Sequence, residues 1–278
     1  MELMRGIWDR QWQGKVDTLT EKDILFMLDE IKLEYTLLFI ETIQGKVNTL
    51  EVGSGSGRLS CFLASKGYET TCLDYSPNAL RVAVNNYRLS KNKGIFVMGD
   101  AESLPFKNGS FEVVLSTGLL EHFPDPQLVV NEMARVLKPG GCFISDIVPE
   151  KLWSLYMSEE HISRIIKSIK PWIKGVRQER IYEGRLSKRD IKRCLQSADL
   201  FDINIIAAGV VPPPLDFLPR IPFGKRIWCT YNTLSYRLKP FFKRLDNTVL
   251  AELFGLYYFA HAKKPSSEGA STLNVCKY

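Results

Sequence analysis

Residues 50–60, LEVGSGSGRLS, place three glycines at alternate positions between a short apolar run and an amphipathic segment. Glycine tolerates positive φ and lets the backbone come close to a ligand. A tight turn alone would need one or two glycines, whereas Gly53, Gly55 and Gly57 leave a whole loop without side chains. The stretch therefore predicts a strand, a loop that binds a nucleotide-type ligand and a helix, in that order.

Strands and helices alternate on both sides of this loop. Short apolar runs predict strands at residues 47–52, 69–73, 94–100, 110–116, 142–147, 201–209 and 255–264. Helical periodicity and capping residues predict helices at residues 20–42, 58–66, 127–137 and 188–198, and one from Pro77 onward. This alternation is typical of right-handed crossovers in a mostly parallel sheet covered on both faces. The expected fold class is α/β, Rossmann-like and doubly wound, with seven strands.

The composition is that of a folded globular protein. The 278 residues are 45% hydrophobic and 24% charged, and no stretch has the 18 or so uninterrupted apolar residues of a spanning helix. The first 20 residues lack the apolar core of a signal peptide, so we expect a cytoplasmic location. Six cysteines without a C-x-x-C pair predict reduced thiols, and no histidine and cysteine spacing indicates a metal site.

Acidic residues follow the first three predicted strands. Glu51, Asp74 and Asp100 each lie at or just after the end of an apolar run. Because the carboxyl ends of parallel strands meet at one edge of a sheet, these carboxylates should face a common crevice. Asp74 lies 17 residues beyond Gly57, a placement suited to accepting both hydroxyls of a ribose.

The glycine spacing bears on which nucleotide-type ligand is bound. Nicotinamide dinucleotides require G-x-G-x-x-G, but Arg58 stands where the third glycine would be. The pattern E-x-G-x-G-x-G instead resembles the first motif of class I S-adenosylmethionine-dependent methyltransferases. Three further stretches resemble later motifs of that family, in its small-molecule quinone and sterol branch: CLDYSPNAL at residues 72–80, GDAESLPFKNGSFEVVLSTGLLEHFPDP at 99–126, and LKPGGCF at 137–143.

This resemblance covers roughly residues 47–147 and implies a cofactor site. It implies that the seventh strand is antiparallel and that S-adenosylmethionine is the cofactor, with S-adenosylhomocysteine as the product. The residues that it implicates in cofactor binding are Glu51, Gly53, Ser54, Gly55, Gly57, Asp74, Tyr75, Ser76, Asp100, Ala101, Glu102, Ser116 and Thr117. Within this set, Glu51 and the glycine loop would hold the methionine end, which Ser116 and Thr117 would also approach. Asp74 would hold the ribose, Tyr75 one face of the adenine, and Asp100 with Ala101 the adenine edge.

His122 is the candidate catalytic residue. It follows the fourth strand, whose loop faces the methyl group in the family, and imidazole titrates near neutral pH. A purely structural role for His122 stays open. Methylases of nucleobase amines carry N/D-P-P-Y/F/W after this strand, whereas this chain has STGLL, so we expect a small-molecule acceptor methylated at oxygen or at an activated carbon.

The second half of the chain is basic. Residues 151–248 carry 19 lysines and arginines against 9 acids, whereas residues 1–150 carry 15 against 20. Aromatic residues are interspersed, and the family builds its acceptor cap from insertions in this region. One interpretation is a cap with a cationic rim for a lipidic or anionic acceptor, used at a membrane surface. The other is an ordinary solvated face, and the lack of a known binding module disfavours a nucleic-acid partner.

The predicted organisation has four parts. They are an N-terminal helical segment (1–46), a cofactor-binding core (47–148), the rest of the core with its basic cap (149–264) and a flexible tail (265–278). Two other functions stay open on the same fold: a nicotinamide-dependent oxidoreductase, and a non-catalytic regulator that keeps the cofactor pocket.

Overall fold

The computed structural model describes residues 2–15, 24–41, 43, 45–149, 184, 186–210 and 224–266. The strands in these ranges are β1 (Asn48–Val52), β2 (Glu69–Asp74), β3 (Ile95–Met98), β4 (Phe111–Thr117), β5 (Leu137–Ile147), β6 (Phe201–Ala208) and β7 (Tyr257–Lys263). The helices are α1 (Glu2–Trp12), α2 (Ile24–Ile40), α3 (Arg58–Ser65), α4 (Pro77–Leu89), α5 (Pro126–Val136), α6 (Lys188–Ser197), α7 (Gly224–Arg237), α8 (Lys239–Lys243) and α9 (Val249–Phe254).

The seven strands form one sheet in the order β3-β2-β1-β4-β5-β7-β6. Strands β1 to β5 pair in parallel, whereas β7 runs antiparallel to both β5 and β6. The predicted fold class, including the antiparallel seventh strand, is confirmed. The chain leaves β1 toward β2 on one side and later returns to pair with β4 on the other, which creates a crevice at the carboxyl end of β1.

The sheet is buried on both faces. On one face α5 and α6 cover a cluster that includes Leu50, Val114, Met133 and Leu195. On the other face α2 and α3 cover a second cluster, which includes Leu63 and Phe259. The central strands are buried along most of their length, so the charged residues near their carboxyl ends, such as Glu51 and Asp74, are candidates for a site.

Four helices in the described ranges were not predicted: α1, α7, α8 and α9. Helix α1 carries apolar residues at steps of three and four, a helical period that the prediction overlooked: Leu3, Met4, Ile7, Trp8 and Trp12. Among the side chains described at residues 6–15, only Ile7 is fully buried. Helix α7 buries polar Asn232 and Ser235 beside the half-buried Tyr231 and Tyr236, and this mixture hides its period. Strand β5 begins at Leu137 instead of residue 142, because Leu137 pairs with Phe111 across a register shift.

The described part of the basic second half packs against α2. Tyr236 donates a hydrogen bond of 2.9 Å to Glu30, and Lys239 forms ion pairs with Glu30 at 2.8 Å and Glu34 at 2.7 Å. Residues 149–183 and 211–223, where most of the cap was expected, lie largely or wholly outside the described ranges, so the cap stays a prediction. None of the helices in the described ranges is long and apolar enough to cross a bilayer.

The cysteines agree with the expectation of reduced thiols. Cys61, Cys72 and Cys142 are free and buried within core elements. Cys194 and Cys229 are free as well, and Cys276 lies outside the described residues.

Candidate functional site

A cavity of about 420 Å³ lies at the carboxyl ends of β1, β2 and β4. Its volume falls within the range of small-ligand sites. Nine of the predicted site residues line it: Gly53, Ser54, Gly55, Asp74, Tyr75, Asp100, Ala101, Thr117 and His122. The other walls are formed by Trp8, Trp12, Ser56, Leu73, Gly99, Gly118, Leu119, Phe123 and Pro124.

The glycine loop has a distinct constraint at each position. All three glycines have positive φ, between 52° and 67°. A Cβ on Gly53 would lie 2.5 Å from the Leu119 side chain, and one on Gly55 would lie 2.8 Å from the Trp12 ring. Gly57 does not line the cavity. A Cβ there would lie 3.0 Å from that of Ala83, so Gly57 lets α3 pack closely on α4.

Asp74 lies at the end of β2 with both carboxylate oxygens facing backbone amides. One oxygen accepts a hydrogen bond of 2.7 Å from the Gly55 amide and the other accepts one of 2.8 Å from the Ser76 amide. Burial raises the pKa of Asp74 although these bonds act in the opposite direction. A carboxylate has about four lone-pair sites, so each oxygen keeps the capacity to accept from a ligand hydroxyl.

Glu51 is buried beneath the cavity. Its Oε2 accepts hydrogen bonds from the Ser60 amide at 3.1 Å and the Ser60 hydroxyl at 2.5 Å. Its Oε1 accepts one of 3.3 Å from Thr117, which does line the cavity. Burial raises the pKa of Glu51 to about 7. Ser116 lies deeper, with its hydroxyl 2.9 Å from that of Ser145 between β4 and β5.

The remaining predicted residues support the loops that follow β2 and β3. The Asp100 carboxylate accepts a hydrogen bond of 3.0 Å from the Glu102 amide, while Ala101 lines the cavity. Ser76 is the N-cap of α4 and accepts from the Ala79 amide at 3.1 Å. Neither Glu102 nor Ser76 is among the lining residues.

A buried charge cluster adjoins the site and was missed by sequence reasoning. Lys32 of α2 forms an ion pair of 3.0 Å with Asp146 at the end of β5. Glu121 accepts a hydrogen bond of 3.1 Å from the Val148 amide, and burial raises its pKa to about 7. The strand-end position that identified Glu51 would also have identified Asp146, but no local signal distinguishes Lys32 from a surface lysine.

His122 ends a 3₁₀ turn, Leu120–His122, and lines the cavity. Its ring lies 4.8 Å from that of Trp8, in an edge-on arrangement with an interplanar angle of 67°. The structure thus places an imidazole and an indole together in one wall. Within the described ranges, no group of three or more histidine, cysteine or acidic residues is arranged to hold a metal ion.

Comparison with known proteins identifies the family. The sequence profile described as a methyltransferase domain matches residues 50–145. A ubiquinone biosynthesis O-methyltransferase from Xanthomonas oryzae is 30% identical over 220 residues, which cover 78% of this chain and 85% of the relative. The chain is a class I S-adenosylmethionine-dependent methyltransferase.

Two further comparisons agree with this assignment. The methyltransferase is 32% identical over 163 residues to a 2-methyl-6-phytyl-1,4-hydroquinone methyltransferase of rice, a match that covers 50% of this chain and 46% of that relative. It shares its fold with an N-methyltransferase of Haemonchus contortus solved with phosphomonomethylethanolamine and S-adenosylhomocysteine. That comparison has a TM-score of 0.56 at 18% identity and covers 95% of this chain and 60% of the other.

The site suits the cofactor that the family uses. S-adenosylmethionine is a sulfonium cation with an α-amino group, and acids lie in or beside the cavity at the ends of β1, β2 and β5. The methyltransferase acts on a small-molecule acceptor. Family membership favours neither the nicotinamide-dependent oxidoreductase nor the non-catalytic regulator.

Proposed function

We propose that this methyltransferase transfers the methyl group to a phenolic hydroxyl of a hydroquinone-type acceptor. The observation that carries the proposal is the position of His122 in the cavity wall, beside the aromatic rings of Trp8 and Phe123. Such a wall suits a flat aromatic acceptor next to a base. The similarity to an enzyme named for ubiquinone biosynthesis and to one named for a phytyl hydroquinone supports this class of acceptor.

We assign the cofactor contacts as follows. Asp74 accepts from the two ribose hydroxyls, and Tyr75, Asp100 and Ala101 contact the adenine. Amides of the loop at residues 53–57 and the Thr117 hydroxyl contact the methionine end. Each of these groups lies on the cavity wall or in the loop that forms it, which supports the assignment.

The remaining predicted residues act behind this wall. Glu51 orients Thr117 through the hydrogen bond at 3.3 Å. Gly57, Ser76, Glu102 and Ser116 shape the loops and strand ends that hold the contacting groups.

His122 accepts the phenolic proton in the proposed reaction. The acceptor oxygen forms a bond to the methyl carbon while the carbon–sulfur bond breaks. The electron pair of the broken bond stays on sulfur, so the sulfonium becomes a neutral thioether. A phenol has a pKa near 10, so removing its proton as the bond forms makes it a better nucleophile. The reacting atoms must lie about 3 to 3.5 Å apart in a site that excludes water.

We also propose that the acceptor is lipidic and is met at an anionic membrane surface. The solvent side of α7 and α8 exposes Ile227, Leu234 and Phe241 at a spacing of seven residues. Arg226 and Arg237 lie on the adjoining solvent side. Apolar side chains beside arginines are typical of helices that bind anionic bilayers. Sedimentation with phosphatidylglycerol vesicles should exceed that with phosphatidylcholine vesicles, and equal sedimentation would contradict the membrane contact.

The reaction is tested by turnover. The full chain is incubated with S-adenosylmethionine and a set of hydroquinones and catechols with and without an isoprenoid tail, and the product is analysed by mass spectrometry. We expect a gain of one methyl on oxygen, faster with the tailed acceptors. Methylation of ring carbon, or of amines alone, would overturn the proposal.

A further inference from the structure

Helix α1 lies across the cofactor cavity. Trp8 and Trp12 are one helical turn apart, so they project from the same face of α1, and both line the cavity. Trp12 packs on the glycine loop at Gly55, and Trp8 packs on His122 at the other end. The helix therefore covers the space between the loop that holds the methionine end and the residue placed at the methyl group.

Asp9, between the two tryptophans, attaches α1 to the start of α4. Its carboxylate accepts hydrogen bonds from the Ser76 hydroxyl at 2.6 Å, the Asn78 side-chain amide at 2.9 Å and the Asn78 backbone amide at 3.3 Å. The bond from Ser76 and those from Asn78 hold the pKa of Asp9 below its usual value, so it is a carboxylate at neutral pH. A negative charge is also stabilised at the N-terminus of a helix.

This attachment adjoins the ribose end of the site. The Ser76 amide that donates to Asp74 belongs to the same residue whose hydroxyl donates to Asp9. Asp74 in turn accepts from the amide of Gly55, on which Trp12 packs. A closed ring of contacts thus joins the cover to the residue proposed to bind the ribose.

We propose that α1 is a component of the cofactor site, in which Trp8 and Trp12 cover the bound cofactor and Asp9 is a positioning residue that latches them to α4. Escape of the cofactor requires this latch to open, because the two half-buried indoles form part of the cavity wall and α1 holds them there. The latch therefore sets the dissociation rate of the cofactor. This inference rests on the cofactor, and it holds whichever acceptor Trp8 also contacts beside His122.

Dissociation of S-adenosylhomocysteine from the full chain tests the latch. We expect S-adenosylhomocysteine to dissociate about ten- to a hundredfold faster from Asp9→Ala than from the wild type, which is the scale of losing hydrogen bonds to a charged group. The association rate should change less. Gln11→Ala, at an exposed position of the same helix, is the matched control and should keep the wild-type rate. Trp8→Ala and Trp12→Ala should each weaken equilibrium binding.

A double-mutant cycle separates a latch from a general loss of stability. Asn78→Ala removes the side-chain donor on α4, so adding it to Asp9→Ala should have little further effect on dissociation. If the two substitutions had fully additive effects on the dissociation rate, the proposed latch would be wrong. It would also be wrong if Asp9→Ala unfolded at the wild-type temperature and released S-adenosylhomocysteine at the wild-type rate. If the wild type bound no S-adenosylhomocysteine, the cofactor assignment itself would fail.

Discussion

The hydroxyl of Thr117 donates a hydrogen bond of 3.3 Å to Oε1 of Glu51, and this contact joins the ends of β4 and β1 beneath the cofactor cavity. Only Thr117 of the two lines the cavity. In the cofactor site that we propose, the buried acid therefore acts on the ligand through an intermediate hydroxyl. Replacing Glu51 should therefore have two separate effects, one on the free energy of unfolding and one on the position of the Thr117 hydroxyl.

Removing the carboxylate of Asp74 should weaken cofactor binding. We expect Asp74→Ala to lower the affinity for S-adenosylhomocysteine by about 1.5 to 3 kcal/mol, because hydrogen bonds to a charged group are lost. Calorimetric titration measures the change. Glu69→Ala, at the exposed other end of β2, is the matched control. Unchanged affinity in Asp74→Ala would exclude Asp74 as the ribose ligand.

Replacing His122 should slow the reaction without removing the cofactor. A general base contributes about 10²- to 10⁴-fold, so we expect His122→Gln to reduce kcat by that factor with a phenolic acceptor. Binding of S-adenosylhomocysteine serves as the control for the integrity of the site. If His122→Gln turned over at the wild-type rate, positioning alone would account for catalysis.

Stability should depend on pH through Glu51. Its pKa rises from 4.5 unfolded to about 7 folded, so the folded state binds more protons between these values. The free energy of unfolding should therefore fall as the pH rises from about 4.5 to about 7, and Glu51→Gln should flatten this slope. Urea titrations at several pH values measure it, with the exposed Glu69→Gln as control. Glu121 shifts in the same direction, so a slope as steep as the wild type's in both Glu51→Gln and Glu121→Gln would contradict these pKa values.

Breaking the buried ion pair should destabilise the fold. Lys32→Met leaves Asp146 without its cation in the interior, which costs about 3 to 5 kcal/mol of unfolding free energy. Adding Asp146→Asn removes the uncompensated charge and should recover much of that loss. Urea denaturation of the single and double variants measures the difference. A double variant as unstable as Lys32→Met would show that packing, not charge, sets the cost.

Local patterns in the sequence determined the core of this protein. The alternation of strands and helices, the glycines after β1 and the acids at strand ends are short-range features, and they predicted the sheet, the glycine loop, Asp74 and Asp100. The family resemblance added five further residues that line the cavity: Ser54, Tyr75, Ala101, Thr117 and His122. Periodicity and turn chemistry arise within a few residues, which is why they are readable without the fold.

Tertiary structure alone decided what surrounds that core. No local signal reveals the roles of Trp8 and Asp9, since these roles depend on α1 lying against α4 and the turn at His122. Lys32 likewise became a buried partner of Asp146 only because α2 packs on the sheet beside β5. Contacts between residues far apart in sequence are set by how whole elements pack, and packing depends on the shape of both surfaces together, which no single stretch of sequence contains.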